Sequence, residues 1–182
     1  MESSKLTPLC RIAYKYGTDK CPQILHSYTP VYYQMFERRK NTVKKVLEMG
    51  IGEGASLKMW RDFFSNAMIY GADIEPGTMF EDKRIKTYLA DEREKEDIEN
   101  LVSQTGPDID IFVDDASHYW GHQAYLAKII LPLLQKEVVY IIEDVGHPRH
   151  ILNELKDYDY IYPALPLKIE KPKNKLIIIK NK

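Results

Sequence analysis

Carboxylates follow two apolar runs in the second half of the chain, at the points where strands are expected to end. Asp114 and Asp115 follow the run at 109–113, and Glu143 and Asp144 follow the run at 138–142. In a parallel sheet both ends lie at one edge, where such folds bind their ligands. Four carboxylates that converge there repel one another unless a cation or protons intervene. Oxygen ligands suit Mg²⁺, or alternatively Mn²⁺ or Ca²⁺, better than zinc.

Only one of the two adjacent aspartates can be the main metal ligand, because neighbouring side chains at a strand end point to opposite faces of the sheet. We choose Asp115, since it shares a loop with Ser117 and His118. In the alternative interpretation Asp115 or Ser117 caps the following helix, and Glu143 pairs with a lysine. Because two acidic strand ends are expected to lie side by side, a metal site is favoured over the capping interpretation.

His118 is the predicted general base. The unperturbed pKa of histidine is about 6.5, near working pH, and His118 follows Asp115 by three positions. His122 stands four positions further on, where it either faces the same way or lies on the surface. His147 and His150 follow the fifth apolar run, and we expect them to be lid or surface residues.

A glycine-rich segment follows the first apolar run. Gly50, Gly52 and Gly54 alternate with other residues just before an amphipathic stretch. Glycine permits a positive φ and a close approach of ligand to backbone, and a helix N-terminus offers free N–H groups. Asp73 ends the second run about 20 residues later, where an acidic side chain can accept both hydroxyls of a ribose.

Two ligands fit this layout, a dinucleotide and S-adenosylmethionine. Dinucleotide loops place the third glycine three positions after the second, whereas Gly54 follows Gly52 by two. Glu48 and Glu53 would crowd a pyrophosphate, but they are compatible with a sulfonium ligand that carries an ammonium group. The spacing Glu-x-Gly-x-Gly-x-Gly at 48–54 resembles the nucleoside loop of class I methyltransferases, which favours S-adenosylmethionine, and the alternative is a turn without a ligand. Asp91, after the third run, is a candidate partner of the adenine amine or a solvated turn residue.

Alternating strands and helices must position these residues. Apolar runs predict strands at 46–49, 68–74, 85–89, 109–113, 138–142, 160–162 (with 165–169 as an extension) and 176–179, and amphipathic stretches predict helices at 55–64, 94–103, 122–134 and 150–156. This alternation favours right-handed crossovers and a mostly parallel sheet. The last two runs follow each other directly, which predicts an antiparallel hairpin at the C-terminal end. The expected class is α/β.

The first 45 residues differ from the rest. They are rich in tyrosine, carry turn signals at 16–19, and predict a helix start at Thr29-Pro30, where Thr is a competent N-cap and Pro suits the first turn. So short a segment cannot bury a core alone. We therefore expect a single domain over 1–182, in which 1–45 forms a cap or lid on a core of 46–182.

Composition excludes several classes of function. Lys plus Arg number 26 against 27 Asp plus Glu, giving a formal charge of −1, so no net basic field exists to hold nucleic acid. No apolar run approaches the roughly 20 residues that span a bilayer, and the N-terminus lacks the apolar stretch of a signal peptide. We expect a cytoplasmic protein without a membrane partner, in which Cys10 and Cys21 form no disulfide.

Taken together, the motifs resemble the sugar O-methyltransferases of macrolide biosynthesis, which include the mycinamicin and macrocin enzymes, and the related cephalosporin hydroxylase-like group. The segments that carry the likeness span nearly the whole chain in the same order: KYGTDK at 15–20, HSYTP at 26–30, LEMGIG at 47–52, MWRD at 59–62, DDASH at 114–118 and IED at 142–144. The resemblance implies a Rossmann-like class I methyltransferase fold with helices on both faces of a seven-stranded sheet.

The resemblance also implies a chemistry. S-adenosylmethionine would donate the methyl group, Asp115, Glu143 and Asp144 would hold Mg²⁺, and His118 would be the base. The donor-binding residues that we predict are Glu48, Gly50, Gly52, Gly54, Asp73, Asp91 and Asp114. Ala116 stands where the family usually has glycine, which stiffens the metal loop.

The predicted function is metal-dependent methyl transfer to a hydroxyl of a glycan or glycoside sugar. Small relatives of this kind occur in viruses and in glycan gene clusters, which favours a glycan acceptor and, for a viral chain, the host cytoplasm. The chain is shorter than the macrolide enzymes, so acceptor specificity and oligomeric state, including a homo-oligomer, do not carry over. The alternatives are a catechol-type O-methyltransferase and a catalytically silent binding protein of the same fold.

Overall fold

The computed structural model describes residues 6–165 and 175–180. Its strands are β1 (Lys45–Met49), β2 (Met68–Asp73), β3 (Ile85–Leu89), β4 (Ile111–Asp114), β5 (Val139–Ile142), β6 (Asp159–Ile161) and β7 (Ile177–Lys180). They form one sheet in the order β3-β2-β1-β4-β5-β7-β6. The first five strands are parallel, and β7 runs antiparallel to both β5 and β6.

Helices cover both faces of this sheet. They are α1 (Pro8–Tyr16), α2 (Tyr28–Phe36), α3 (Ala55–Phe63), α4 (Lys95–Thr105), α5 (Trp120–Ile130) and α6 (Pro148–Glu154), with 3-10 turns at Pro76–Thr78 and Leu131–Leu133. Helices α1, α2 and α3 contribute to the core on one face, and α4, α5 and α6 contribute to the core on the other. This is the Rossmann-like arrangement of a class I methyltransferase, so the predicted fold class is confirmed.

The strand predictions agree with the structure to within two residues at every described end. The proposed extension at 165–169 lies outside the described residues, apart from Leu165, which is not in a strand. Helix α5 starts two residues earlier and ends four residues earlier than predicted. It gives way to a 3-10 turn at Pro132, because proline has no N–H to continue the helical ladder.

The predicted helix start at Thr29 is wrong by two residues, because α2 begins at Tyr28 and its N-cap is Ser27. The backbone N–H groups of Tyr28 and Thr29 both donate to the carbonyl of Lys20, at 3.1 Å. That carbonyl satisfies donors at the helix start that an N-cap side chain would otherwise serve. The Thr29 hydroxyl contacts the Cys10 sulfur at 3.2 Å instead.

The segment between α1 and α2 is a compact loop over the carboxyl end of the sheet. It begins at Gly17, a left-handed residue (φ 76°) whose N–H satisfies carbonyls at the end of α1, and it is closed by a 2.7 Å bond from the His26 N–H to the Asp19 carbonyl. The aromatic face of α2 anchors it, since Tyr32 packs on Trp60 of α3 at 5.3 Å between ring centroids. This loop brings residues from the start of the chain to the ends of β1, β4 and β5.

Two further sequence expectations concern cysteines and membranes. Cys10 and Cys21 are both buried and free. None of the helices in the described part of the chain is long and apolar enough to cross a bilayer.

Candidate active site

A cleft of about 710 Å³ opens at the carboxyl ends of the parallel strands. Its walls come from the loop after α1 and from the loops that follow β1 to β5. Seven of the predicted site residues line it: Gly50, Gly52, Asp73, Asp91, Asp115, His118 and Asp144. The other four, Glu48, Gly54, Asp114 and Glu143, do not line it.

The glycine-rich loop is shaped by packing as well as by access to the cleft. Gly50 has φ 95°, and a Cβ there would collide with the backbone carbonyl of Asp115. Gly54 (φ 74°) is the N-cap of α3, and a Cβ there would collide with the ring of Phe80. Gly52 (φ 51°) has open space beside it. Of the three glycines, Gly50 and Gly54 are therefore required by neighbouring atoms, and Gly52 is required by its backbone angle.

Asp73 fixes the glycine loop from the end of β2. Its Oδ2 accepts hydrogen bonds from the N–H groups of Ile51 (2.7 Å) and Gly52 (3.3 Å). Its Oδ1 accepts from the N–H of Glu75 at 3.0 Å. The carboxylate thus preorganises the loop while it faces the cleft, and a bound ribose would share it with these backbone groups.

Asp91 lies on the cleft but is already paired. Its carboxylate accepts hydrogen bonds from Arg93, at 2.8 Å to Nε and 2.6 Å to Nη2. The hydrogen bonding and charge of Arg93 lower the pKa of Asp91. The adenine-binding role predicted for Asp91 would have to be shared with this ion pair.

Three side chains that could ligate a metal ion converge in the cleft. His118 Nε2 lies 3.4 Å from Asp144 Oδ2 and 3.9 Å from Asp115 Oδ1. Among the residues that the structure describes, this is the one group of three whose ligating atoms all lie within 4.8 Å of one another. Two carboxylate oxygens and an imidazole therefore face the same volume.

Asp144 is held in place from behind. Its Oδ1 accepts a 2.5 Å hydrogen bond from the Tyr28 hydroxyl and lies 3.5 Å from His26 Nε2. Burial, reinforced by the charges of Glu143 and Asp144, raises the pKa of Tyr28, so the phenol stays a donor. Asp144 also has a left-handed backbone (φ 51°), which is uncommon outside glycine and is found at functional sites.

Lys20 occupies the centre of the acidic cluster. Its ammonium hydrogen-bonds to Asp115 Oδ2, lies 2.8 Å from Glu143 Oε2 and 3.4 Å from Glu48 Oε1, and is only 1% exposed. Burial disfavours the charged form, but the three carboxylates outweigh it and raise the pKa of Lys20 well above its usual value. The pairing of Glu143 with a lysine, which the sequence left as the alternative, is the arrangement in the structure.

Glu143 and Glu48 are enclosed together with Lys20. Glu143 Oε1 accepts a 2.6 Å hydrogen bond from the Tyr32 hydroxyl, and Glu48 Oε2 accepts one of 2.6 Å from the Trp60 indole. Their exposed fractions are 1% and 0%. Neither carboxylate reaches the cleft, so the structure does not bring Glu48 to a donor site or Glu143 to the three converging ligands.

Asp114 points to the opposite face of the sheet. It is 1% exposed, and its Oδ2 accepts a 3.2 Å hydrogen bond from the Tyr140 hydroxyl. Burial, followed by the negative charge of Glu92, raises the pKa of Asp114 well above its usual value. Glu92 itself accepts from the Ser117 N–H at 3.2 Å and lies 3.8 Å from His122 Nδ1. Asp114 therefore belongs to a second cluster, on the side of the sheet that α5 covers.

The sequence analysis did not identify Lys20, Tyr28 or Tyr32 as members of the site. All three come from the segment before β1, and their hydrogen-bond partners in the loops after β4 and β5 lie between 95 and 123 positions later. One signal could have identified two of them: Lys20 and Tyr28 lie in the segments 15–20 and 26–30, which resemble a known family. No local periodicity points to Tyr32.

No protein-family model matches the chain. Individual curated proteins do. A tetracenomycin rhamnosyl 3'-O-methyltransferase of Streptomyces olivaceus is 33% identical over 150 residues, 79% of this chain and 38% of that protein. The mycinamicin VI 2''-O-methyltransferase of Micromonospora griseorubida is 32% identical over 149 residues, 78% of this chain and 37% of that protein. The chain thus aligns with less than two fifths of the length of these relatives.

A solved structure shows the same fold. The methyltransferase MycE of mycinamycin biosynthesis, solved in complex with Mg, SAH and mycinamycin VI, superposes with a TM-score of 0.78 at 24% identity. The match covers 98% of this chain and 55% of MycE. A second structure of MycE, with Mg and SAH, gives a TM-score of 0.77 at 25% identity.

Proposed function

Because the chain is related in sequence and fold to the macrolide sugar O-methyltransferases, we propose that it transfers a methyl group from S-adenosylmethionine to a sugar hydroxyl. One observation carries the proposal: the glycine loop with Asp73 and the group of Asp115, His118 and Asp144 line the same cleft. A nucleoside bound on the loop and a cation bound by this group would then lie close together. The relatives include proteins named as O-methyltransferases of a rhamnosyl tetracenomycin and of mycinamicin VI.

The donor end of the cleft would bind the nucleoside. Gly52 leaves space beside the backbone, and the Asp73 carboxylate faces that space while it holds the loop. Acidic groups there are compatible with a cationic donor, because sulfonium and ammonium groups attract carboxylates. Asp91 stands further along the same wall and is a candidate for the adenine amine.

The acceptor end fits a divalent cation of the Mg²⁺ type. The oxygens of Asp115 and Asp144 that face the cleft are hard ligands, and their second oxygens are fixed by Lys20 and Tyr28, as ligating carboxylates usually are. A cation held by these oxygens would lower the pKa of an acceptor hydroxyl. His118, 3.4 Å from Asp144, is then placed to remove the proton. The residues present therefore fit the proposed metal.

The N-terminal segment takes part in this site. We propose that 1–45 completes the cleft, since Gly17, Thr18, Asp19 and Lys20 line it and α1 and α2 share a core with the sheet. A role as a cap within one domain agrees with this packing.

Composition and charge are the basis of two further proposals, a cytoplasmic location and the absence of a nucleic-acid partner.

Transfer of labelled methyl groups tests the proposal. Purified protein would be incubated with labelled S-adenosylmethionine and a panel of free, nucleotide-linked and glycan sugars, with catechols as the competing acceptor class. We expect transfer to a sugar that requires Mg²⁺ or Mn²⁺ and stops in EDTA, while calorimetry shows that donor binding survives the chelator. Full activity in EDTA would contradict the metal assignment, and transfer to catechols alone would contradict the sugar.

A further inference from the structure

We propose that the cleft continues outward into an aromatic strip that binds the sugar units next to the methylated one, so that the acceptor is an oligosaccharide and not a single sugar. The strip consists of four residues at the starts of α5 and α6: Tyr119, Trp120, His147 and His150. The inference rests on the proposed function for the presence of a sugar in the cleft.

The four rings form one connected series. Ring centroids are 5.5 Å apart between Tyr119 and Trp120, 4.9 Å between Trp120 and His150, and 5.8 Å between His150 and His147. Tyr119 is 53% exposed, Trp120 is half-buried, and both histidines are exposed. Contiguous exposed surface made of large rings marks binding sites on soluble proteins. The strip is therefore a candidate binding surface.

The strip begins at the cleft. Tyr119 directly follows His118, and its ring packs edge-on against the ring of His122, with 5.0 Å between centroids. His118 and His122 both line the cleft. The first ring of the strip therefore stands at the rim of the cleft, beside the predicted base, and a ligand that extends out of the cleft on this side meets it first.

Gly121 determines where the Tyr119 ring lies. A Cβ at Gly121 would come within 2.6 Å of Tyr119 Cε1, so a larger residue there would displace the ring. The backbone N–H of Tyr119 is also fixed, because it donates to the Ser117 hydroxyl at 3.3 Å. Tyr119 is thus held in one place although more than half of it is exposed, and a preorganised ring loses less freedom when a ligand binds.

The chemistry of the strip fits a chain of sugars. The face of an aromatic ring is electrostatically negative, so it attracts the C–H groups on the apolar face of a pyranose while the sugar hydroxyls stay in water. Successive rings of the strip are tilted by 50°, 29° and 68°, so one flat polycyclic acceptor cannot lie on all of them. Pyranose units joined by glycosidic bonds can each take a different tilt. The geometry therefore favours an oligosaccharide.

Tryptophan fluorescence tests the inference without methyl transfer. The chain has two tryptophans, and Trp60 is fully buried, so iodide in solution quenches Trp120 selectively. Methyl glycosides of glucose, galactose, mannose and rhamnose would be compared with trisaccharides of the same sugars. We expect at least one trisaccharide to protect Trp120 from iodide and to bind about three- to tenfold more tightly than its methyl glycoside. The inference is overturned if no trisaccharide protects Trp120, if each trisaccharide binds only as well as its methyl glycoside, or if catechols alone protect Trp120.

Two variants test whether Tyr119 is responsible. Tyr119→Ala should remove most of the advantage of the trisaccharide and leave S-adenosylmethionine binding unchanged. Gly121→Ala should act in the same direction, because its Cβ displaces the ring, and it should add little in the Tyr119→Ala background. Circular dichroism and thermal unfolding check that each variant folds. A trisaccharide advantage that survives in Tyr119→Ala would contradict the inference.

Matched variants control for the loss of an exposed ring and for a Gly→Ala change. Tyr14 is 60% exposed on α1, which packs on the opposite face of the sheet from α5, so Tyr14→Ala should leave saccharide affinity unchanged. Gly77→Ala places its Cβ in open space and should also have no effect. Equal losses in these controls would overturn the assignment to the strip.

Kinetics with the same saccharides separate this inference from the proposed function. With a trisaccharide that is methylated, Tyr119→Ala should raise KM by about three- to tenfold and leave kcat unchanged. Methyl transfer to trisaccharides that Tyr119→Ala does not affect would overturn the strip and leave the proposed function intact. Binding of trisaccharides at the strip, without methyl transfer to any sugar, would overturn the proposed function and leave the strip.

Discussion

Asp114 and Asp115 are neighbours in the chain and lie in two differently balanced acidic clusters. Asp115 belongs to the lysine cluster, in which the single positive charge of Lys20 also contacts Glu48 and Glu143. Asp114 shares the second cluster, where Glu92 is the nearby charge and Tyr140 the hydrogen-bond donor. Burial raises the pKa of the carboxylates in the first cluster as well, but the charge of Lys20 acts against that rise in each of them. In the second cluster, burial and repulsion favour a protonated Asp114.

The difference shows how one strand end serves two purposes. The lysine cluster meets the cleft through Lys20 and Asp115. The second cluster meets it through Glu92 and His122, and Glu92 supports the loop after β4 by accepting from the Ser117 N–H. Each cluster also has its own histidine, His118 beside Asp144 and His122 beside Glu92. Matched substitutions in the two clusters can therefore separate chemistry from support.

The largest expected effect compares the two histidines. His118→Ala should lower kcat by about 10²–10⁴-fold, because a general base contributes that much to rate, and donor affinity should stay unchanged. His122→Ala should cost markedly less, since His122 contacts Glu92 and the Ser117 hydroxyl (3.0 Å) instead of the converging ligands. Steady-state kinetics and calorimetry measure both. Equal losses for the two variants would remove the distinction between the clusters.

The second largest expected effect is the loss of stability when the cation of the lysine cluster is removed. Lys20→Met should lower the free energy of unfolding in metal-free buffer by about 3–5 kcal/mol, because it leaves buried carboxylates without their cation. Urea denaturation measures the change, and added Mg²⁺ should restore part of the loss. The control Lys128→Met removes an exposed partner of Glu154 and should cost about 1 kcal/mol or less. A Lys20→Met protein as stable as wild type would mean that those carboxylates need no cation.

Asp73 lies outside both clusters and tests the donor end alone. Asp73→Ala should weaken S-adenosylmethionine binding by about 1–3 kcal/mol, through loss of charge-assisted bonds to the ribose and of the bonds that hold the loop. The affinity for Mn²⁺ should be unchanged. Calorimetry with each ligand separates the two effects. If the affinity for NAD rather than S-adenosylmethionine depends on Asp73, the loop has been misassigned.

The smallest expected effect is in the second cluster. Asp114→Asn should change the free energy of unfolding by about 1 kcal/mol or less, because a protonated carboxyl and an amide have similar shape and both can accept from Tyr140. Asp115→Asn should be more destabilising, since it takes a charge away from Lys20. Both are measured by urea denaturation. A large loss for Asp114→Asn would show that Asp114 is ionised in the folded protein.

Much of the fold was predictable from local patterns. Apolar runs predicted the strands β1, β4 and β5. The residues that follow these three strands lie at the carboxyl edge of the sheet. Of the four carboxylates predicted to converge at that edge because parallel strands end together, the structure brings Asp115 and Asp144 together with His118. The start of α2 was predicted two residues too late, because the donors at its first turn are satisfied by the carbonyl of Lys20, which lies in the preceding loop.

The sequence by itself determined which carboxylates follow strand ends, since the apolar runs are local, and the alternation of strands with helices favours parallel strands that end at one edge. Tertiary structure decided what each of them does there. Glu143 contacts Lys20, which lies 123 positions earlier in the chain. No sequence pattern near Glu143 predicts that contact. Asp114 and Asp115 differ for the same reason, because the charge state of a buried carboxyl depends on the neighbours that folding brings to it.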